Sequence, residues 1–395
     1  MTNNVHAEEN RVTVRGLSQR LQLTGWQASW QVQGEIVPPV YPLPKGKFLA
    51  IVKEAGHDAS NLVLWDKEGH ELGRCTLDIA NEVKAGQVFG NRLVVASASE
   101  VVEIDTATLR KGRARSFVVS TSKTTLYRAS PTGLWVISDK VYSFFDLDGH
   151  HPVEKARPLV TVNKPLCPES WGDAKQPCTS GLQLNQTEAV VSEAGDLLLV
   201  EVFKEIYPYE DVPGLFDEVQ PSTATVLDTK GAIVAQKALS WMKTKREWLW
   251  SKGRSSQDPT GLPRWGGLVR TRYETERAPA SLPFASRGSD FLFWKISDER
   301  DDTVLFRTDR RLETIWKRKL ADFGGEVVSP TWASQVLIHD NNCRKFSSVT
   351  EHGNIITENK LEIREILLEL QRTKFKRPRF AIGQSGEGDW LLIAY

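Results

Sequence analysis

The sequence predicts an all-β fold, a β-propeller with seven blades, although the spacing of its repeats also allows six or eight. Three observations lead to this prediction: a turn that recurs along the chain, an apolar strand before each turn, and an apolar C-terminal segment suited to closing a ring. The unit is clearest at residues 61–72. There an alternating apolar run ends at Asp66, a turn carries Gly69, and a second strand begins.

Six positions along the chain align on this turn. They are Asp66 with Gly69, Asp105 with Thr108, Asp146 with Gly149, Asp228 with Gly231, Thr308 with Arg311, and Thr350 with Gly353. Successive turns are 39, 41, 82, 80 and 42 residues apart, so two intervals are close to twice the others. A unit of about 40–45 residues that contains several short strands is the size of one propeller blade.

Most of these turns follow two strands that are predicted about ten residues apart. The earlier strand of each pair is expected at 48–52, 93–96, 134–137, 197–200 and 291–294. A small antiparallel sheet cannot bury both of its faces alone, whereas radial stacking of several sheets buries them and leaves only short edges. A β-sandwich or a pair of β-domains would show similar strands and turns, and it stays the alternative fold.

The two ends of the chain are expected to meet. Residues 1–10 are polar and are predicted to form a mobile tail, and residues 11–395 are predicted to form a single propeller domain. Because a propeller has to join its last blade to its first, we expect a strand from the N-terminal segment to pair in one sheet with the strand at Trp390–Tyr395. The segment from Gly383 to Gly388 is predicted to be a hairpin turn, since no helix follows it to form a phosphate site.

Four segments interrupt the strand rhythm. Residues 152–182 are rich in proline and are predicted to be a loop, residues 207–221 are predicted to be an acidic and aromatic loop between two strands of one blade, and residues 241–283 are predicted to be a second large insertion. Residues 359–377 carry apolar side chains at helical spacing and end before Pro378, which predicts a helix. That helix could pack on the propeller or dock a partner.

Composition excludes several function classes. The chain has 51 basic and 50 acidic residues, so its overall charge favours neither nucleic acid nor a membrane surface. No apolar run approaches the roughly 18 residues that a membrane span needs, and the first ten residues show no secretory leader, which together predict a cytoplasmic protein without a membrane partner.

Sequence motifs for catalysis, metal binding and cofactor binding are absent, so we predict no catalytic residue, no metal and no cofactor. None of the nucleophile-elbow, phosphate-loop, zinc-protease or dinucleotide patterns occurs. The four cysteines and the pair His150 and His151 lack metal-ligand spacing, and His70 and His352 fall in the repeated turns. Carboxylate clusters at 298–302 and 217–218 are interpreted as hairpin tips, because sequence alone cannot place them across one pocket.

The most distinctive segment is the basic, tryptophan-rich part of the second insertion. Residues 241–277 contain nine lysines and arginines against four acidic residues, interleaved with tryptophans. This pattern suits an acidic protein surface, because Trp and Arg are favoured interface anchors, and it also suits a nucleic-acid strand with stacked bases. A third interpretation is a loop whose tryptophans pack on the propeller itself.

The recurring hairpin resembles the blades of WD40-like propellers. Leu64-Trp65-Asp66 with its Asp-x-x-Gly turn is the best match, and Phe145-Asp146 with Gly149 is the next. The Gly-His and Trp-Asp pairs of true WD40 repeats are mostly missing, so the side-chain network of that family is not carried over. The resemblance implies a rigid platform whose loops supply the contacts.

The resulting hypothesis is a non-catalytic intracellular interaction scaffold, or a regulatory subunit, that binds one or more proteins. A nucleic-acid platform and an enzyme with a pocket at the propeller channel are the alternatives. The predicted partner-binding residues are Trp241, Lys245, Arg246, Trp248, Trp250, Arg254, Arg264, Trp265, Tyr207, Tyr209, Phe216, Ile363, Ile366, Leu367 and Leu370.

Overall fold

The computed structural model describes the greater part of the chain. The described residues are 11–17, 23–54, 60–77, 83–119, 125–138, 141–149, 152–156, 183–208, 215–249, 268–272, 282–296, 303–320, 325–327, 335–340, 345–350, 352–359, 380–384 and 390–395. Within them the chain forms 29 strands in seven antiparallel sheets, together with one short 3-10 turn at Pro44–Gly46.

The strands follow one another along the chain in groups of four or five. The described chain begins with β1 (Arg11–Leu17) and β2 (Leu23–Gln31), two strands of sheet 1. Sheet 2 consists of β3 (Glu35–Leu43), β4 (Lys47–Lys53), β5 (Ser60–Trp65) and β6 (Glu71–Leu77). Sheet 3 consists of β7 (Ala85–Phe89), β8 (Arg92–Ala96), β9 (Glu100–Asp105) and β10 (Lys111–Ser116). Sheet 4 consists of β11 (Leu126–Ser130), β12 (Gly133–Ile137), β13 (Val141–Asp146) and β14 (Val153–Ala156).

The second half of the chain repeats this plan. Sheet 5 consists of β15 (Gln183–Val191), β16 (Leu197–Pro208), β17 (Leu215–Leu227), β18 (Ile233–Leu249) and β19 (Leu268–Arg272). Sheet 6 consists of β20 (Leu282–Arg287), β21 (Asp290–Ile296), β22 (Thr303–Thr308) and β23 (Thr314–Leu320). Sheet 7 consists of β24 (Gly325–Val327), β25 (Gln335–Asp340), β26 (Lys345–Thr350) and β27 (Ile355–Asn359). The described chain ends with β28 (Phe380–Gln384) and β29 (Trp390–Ala394).

The sheets are arranged radially. The first strands of successive sheets contact one another in the order β28, β3, β7, β11, β15 and β20, so they line a common axis, and the later strands of each sheet lie progressively farther out. Sheets 2 to 7 are simple meanders, which is the layout of a propeller blade. The protein is therefore a β-propeller, as the repeat predicts.

Buried apolar layers hold neighbouring sheets together. Five such layers join sheet 1 to sheet 2, and then each sheet in turn up to sheet 6. Between sheets 4 and 5, for example, Trp135 is 1% exposed and packs with Phe144 and Leu199, and its indole Nε1 donates a hydrogen bond to the Gly195 carbonyl oxygen at 3.1 Å. The core of this protein is thus distributed between blades, because each thin sheet buries its faces only against its neighbours.

Sheet 1 combines both ends of the described chain. Its strand order is β2-β1-β29-β28, with Val14 paired to Ile393 and Thr13 paired to Ala394. The predicted closure of the ring by terminal strands is confirmed. Gly383 and Gln384 of the predicted turn at Gly383–Gly388 end strand β28, which pairs antiparallel with β29 through Gln384 and Trp390, and residues 385–388 lie outside the described residues.

The recurring aspartate makes the turn between the third and fourth strands of a sheet. In sheet 2 the Asp66 carbonyl accepts from Gly69 N at 3.1 Å, and its carboxylate accepts from His70 N at 2.8 Å. Comparable turns close at Asp105, Asp146, Asp228 and Thr350. The carboxylate replaces the missing strand partners of the turn amides, which is why aspartate is preferred there.

The predicted turn at Thr308 with Arg311 is wrong by one residue. The turn runs from Asp309, whose carbonyl accepts from Leu312 N at 3.0 Å and whose carboxylate accepts from Arg311 N at 2.9 Å. Leu312 has φ 63°, at a position where four of the other turns have glycine, and it is 2% exposed in the apolar layer between sheets 5 and 6. Burial of the leucine side chain offsets the cost of its left-handed backbone.

These turns also connect neighbouring blades. The outer strand of one sheet contacts the turn of the next: Arg113 forms an ion pair with Asp148, Arg318 Nε donates to the Gly353 carbonyl oxygen at 2.8 Å, and Lys237 Nζ donates to the Leu312 carbonyl oxygen at 3.3 Å. One repeated turn therefore both closes a hairpin and joins two blades.

Two other sequence predictions fall partly or wholly outside the described residues. The predicted loop at 152–182 begins with strand β14, because its backbone completes the outer edge of sheet 4, and the described part of this segment ends at residue 156. Residue Asn359 ends strand β27, and the rest of the helix predicted at 359–377, with Ile363, Ile366, Leu367 and Leu370, lies outside the described residues, as does the tail at 1–10.

Stability is expected to fall at acidic pH because of these turns. Partial burial acts to raise the pKa of Asp66, but hydrogen bonds from His70 and Gly69 outweigh it and hold the pKa below its ordinary value. The amide and hydroxyl of Thr108 likewise hold the pKa of Asp105 below its ordinary value. A depressed pKa stabilises the folded state above the unfolded pKa of about 3.9, and that stabilisation is lost as pH falls below it.

The substitution Asp66→Asn tests this expectation. Urea unfolding at pH 7, 5, 4 and 3 should show a smaller decrease in the free energy of unfolding for the variant than for the wild type over the acidic part of this range. Equal decreases in the two proteins would contradict it.

Candidate interaction surface

Sheet 5 contains strands much longer than those of the other sheets. Strands β16, β17 and β18 have 12, 13 and 17 residues, whereas no other described strand exceeds nine. At about 3.3 Å per residue, β18 spans roughly 56 Å. Residues 197–202 of β16 and 222–227 of β17 match the strand lengths of the other sheets, and Val202 pairs with Ser222 at the end of this part. We call the remainder, residues 203–208, 215–221, 241–249 and 268–272, the arm.

The arm joins two segments that the sequence analysis treats as separate loops. The acidic segment pairs with the basic one residue by residue: Phe216 lies opposite Arg246, and Asp217 lies opposite Lys245. On the other side of β17, Tyr207 pairs with Asp217. Strand β19 then adds to β18, with Trp248 opposite Val269 and Lys245 opposite Arg272.

Residues 209–214 of the predicted loop at 207–221 and residues 250–267 and 273–281 of the predicted insertion at 241–283 lie outside the described residues. The described residues 207–208, 215–221, 241–249 and 268–272 form strands rather than loops. Their backbones continue the strands of sheet 5, because the hairpin between β16 and β17 extends beyond the blade and β18 extends with it. Sequence patterns suggested a loop because Pro208 and Pro221 interrupt the segment, and prolines are rare inside sheets.

The arm carries some of the predicted partner-binding residues and not others. Tyr207, Phe216, Trp241, Lys245, Arg246 and Trp248 lie on its strands. The positions of Tyr209, Trp250, Arg254, Arg264 and Trp265 lie outside the described residues. Two segments far apart in sequence, one acidic and aromatic and the other basic and tryptophan-rich, thus contribute to one sheet.

Charge is distributed unevenly across the arm. Its β16 and β17 portions contain one basic and three acidic residues, and its β18 and β19 portions contain five basic and one acidic residue. Since strand order in this sheet is β15-β16-β17-β18-β19, the basic residues lie toward the free outer edge. The basic insertion is consequently neutralised in part by its own neighbour, which sequence counting alone does not show.

The inner strands offer one strongly buried cation. Arg128 of β11 donates from Nε to the Ala189 carbonyl oxygen at 2.8 Å and from Nη1 to the Tyr127 carbonyl oxygen at 2.9 Å, so it fastens sheet 4 to sheet 5. Burial lowers the pKa of its guanidinium, and nearby Glu188 opposes that effect. Both hydrogen bonds go to backbone carbonyls, which indicates a structural role.

The described residues show neither a metal site nor a membrane-spanning helix. In the described part of the chain, no group of three or more His, Cys, Asp or Glu side chains is placed to hold a metal ion. None of the helical segments found there has the length and apolar character needed to cross a membrane.

Sequence reasoning missed a polar contact between sheets 5 and 6. Asp196 lies in the turn between β15 and β16 and is 3% exposed, and its carboxylate forms a two-point ion pair with Arg310 at 2.6 and 2.9 Å. Arg310 lies in the turn between β22 and β23, 114 residues away. The only available sequence signal was an acidic residue between two apolar strands.

Comparison with known proteins finds the same fold. A streptogramin B lyase structure aligns over 98% of this chain and 98% of its own, with 8% identity and a TM-score of 0.45. The WD40 domain of Toxoplasma gondii coronin aligns over 98% of this chain and 86% of its own, with 9% identity and a TM-score of 0.40. The propeller domain of the Trilobed protease from Pyrococcus furiosus aligns over 82% and 85%, with 9% identity and a TM-score of 0.38.

These likenesses concern the fold alone. No protein-family model matches the sequence, and no curated protein matches it. The WD40-like blade architecture expected from the repeated hairpin is shown.

Proposed function

We propose that this protein is a non-catalytic interaction platform, a scaffold or regulatory subunit that binds one or more proteins through the arm of sheet 5. The observation that carries the proposal is the length of β16, β17 and β18, which continue far beyond the blade they belong to. Extended loops and hairpins on a rigid body commonly serve binding, and these strands are the longest extensions among the described residues.

Residue chemistry supports the same proposal. The arm contains Trp241, Trp248 and Arg246 on one strand, and Trp and Arg are the residues most often found at the energetic centres of protein interfaces. The mixed charge of the arm favours a protein over a nucleic acid, since three acidic residues lie on β16 and β17 beside the basic strands.

Replacing Trp241, Arg246 and Trp248 together with alanine is expected to abolish partner binding while leaving the fold intact. The proposal predicts that the tagged wild-type protein captures a defined set of proteins from cells, identified by mass spectrometry after nuclease treatment, and that the triple variant loses them. Loss of the central anchors of an interface typically costs 2 kcal/mol or more each, about 30-fold in affinity.

A matched control uses three exposed residues on outer strands of the blades. Leu72, Ile315 and Lys317 are exposed on β6 and β23, and their replacement with alanine should leave the captured set unchanged. Thermal unfolding and circular dichroism confirm that both variants fold. An unchanged captured set for the arm variant would refute the proposal, and binding that survives only without nuclease and disappears steeply with salt would favour the nucleic-acid alternative.

A further inference from the structure

We propose that strand β19 is a docking edge for an extended acidic segment of a partner protein, which adds to sheet 5 as a sixth strand. This inference rests on the proposed function, since it names the kind of partner that the arm binds. It begins from the topology: β19 is the last strand of sheet 5 and pairs only with β18 in the described chain. No other described strand pairs with its outer edge, whose backbone N–H and C=O groups are the kind that a further strand pairs with.

Charge on this edge selects the partner. Arg270 and Arg272 occupy alternate positions of β19 and so belong to the same face, roughly 6.6 Å apart along the strand. Residues directly opposite each other on adjacent antiparallel strands interact, and opposite charges there stabilise the pairing by about 0.2–1 kcal/mol. A partner strand with acidic residues two apart would place one opposite each arginine.

The pairing of β18 with β19 gives a second reason to expect an acidic partner strand. Arg270 lies opposite Glu247, so it already has an acidic neighbour in β18, whereas Arg272 lies opposite Lys245. Like charges directly opposite each other on a sheet are unfavourable. An acidic residue on the far side of Arg272 would relieve this repulsion, and the order across the sheet would then be Asp217, Lys245, Arg272 and the acidic residue of the partner.

Two other occupants fit this edge less well. A second copy of the chain pairing edge to edge would bring its own Arg270 and Arg272 against those of the first copy, which is repulsive. A nucleic acid would be attracted by the arginines, but its phosphates only accept hydrogen bonds and cannot use the alternating donors and acceptors of a strand edge. An acidic peptide strand satisfies both the charges and the backbone.

The experiment uses the full-length protein and fluorescent synthetic peptides of defined sequence. The test peptide is Thr-Glu-Val-Glu-Val-Glu-Thr, and its counterpart has lysine in place of each glutamate. Anisotropy titrations at low and moderate salt are expected to show binding of the acidic peptide and at least tenfold weaker binding of the basic one. The variant R270E/R272E should reverse this preference, which a loss of folding cannot do.

Two further measurements separate strand addition from simple charge attraction. Strand addition uses the backbone amides on only one edge of the peptide, so N-methylation of one alternating set of residues should weaken binding at least tenfold while methylation of the other set is tolerated. The control variant K317E/K319E, which alters the basic outer strand β23 of sheet 6, should bind the acidic peptide as the wild type does.

Several results would overturn the proposal. They are failure of the acidic peptide to bind, equal binding to R270E/R272E, equal effects of the two methylation sets, or tighter binding of a single-stranded RNA oligonucleotide of similar length. Capture of cellular proteins that depends on Trp241 and Trp248 but not on Arg270 and Arg272 would refute the docking edge while leaving the proposed function standing.

Discussion

Replacing Asp196 with alanine is expected to lower the free energy of unfolding by about 3 kcal/mol, among the largest effects of any single substitution in this protein. The carboxylate is 3% exposed and is paired at two points with Arg310, which lies on the neighbouring blade. Removing one partner of a buried ion pair costs more than the pair itself contributes, because the remaining group has lost its compensation. Urea unfolding at neutral pH measures the effect.

A double-mutant cycle assigns this cost to the contact between the blades. The variants Asp196→Ala and Arg310→Ala should each be destabilised, and the double variant should be more stable than the sum of the two losses predicts. Arg310→Ala leaves the 3% exposed Asp196 carboxylate without its charged partner, whereas Asp196→Ala leaves a guanidinium that is 45% exposed, so the loss for Arg310→Ala should be at least as large as that for Asp196→Ala. A loss below 1 kcal/mol for Asp196→Ala, or strict additivity in the cycle, would contradict the expectation.

Replacing Gly69 with alanine is expected to cost about 3 kcal/mol, whereas the same change at Gly149 should cost about 1 kcal/mol. Both glycines occupy equivalent turns with positive φ, +93° at Gly69 and +85° at Gly149, so both variants carry backbone strain. An added Cβ at Gly69 would lie 2.4 Å from the Trp30 ring, while nothing lies within 4 Å of a Cβ at Gly149. The difference between the two variants therefore isolates the steric contact between sheets 1 and 2.

The background variant Trp30→Leu provides the control for this pair. Without the indole ring, Gly69→Ala should lower the free energy of unfolding by no more than Gly149→Ala does, because only the backbone strain of the positive φ angle remains. Thermal and urea unfolding of the four single and double variants give the comparison. Equal costs at the two glycines in the wild-type background would show that the Trp30 ring moves aside without penalty.

The architecture was predictable because it depends on local patterns. The alternation before Asp66 and the glycine after it specify a hairpin within a dozen residues, and its recurrence indicates the size of the sheets and a number of blades between six and eight. The shifted turn at Asp309 shows the limit of this reasoning. A leucine at a left-handed position is unfavourable locally, and only its burial between two blades, which a single sequence does not reveal, makes Leu312 acceptable.

The composition of residues 207–221 and 241–277 singled out the segments that contribute to the arm, but it predicted loops where the described backbone forms strands. The arm's prolines and charges resemble those of a loop, and the pairing of β17 with β18 that makes it a sheet joins residues up to 32 positions apart, such as Leu215 with Glu247. The acidic composition of one segment and the basic composition of the other were a usable signal for this pairing. The contact between Asp196 and Arg310 has no such signal, because one acidic and one basic residue 114 positions apart are indistinguishable from the many others in the chain.

Sheet 1 combines strands from both ends of the described chain, and this affects how the protein folds during translation. Strand β1 leaves the ribosome before the other described strands, whereas its partner β29 is the last of them. Intermediate blades can stack as they emerge, but the ring stays open, with β1 and β2 as a bare hairpin, until translation has passed Ala394. A chain stalled before that point would display an unfinished blade, and chaperones that recognise unpaired strands would have time to bind it.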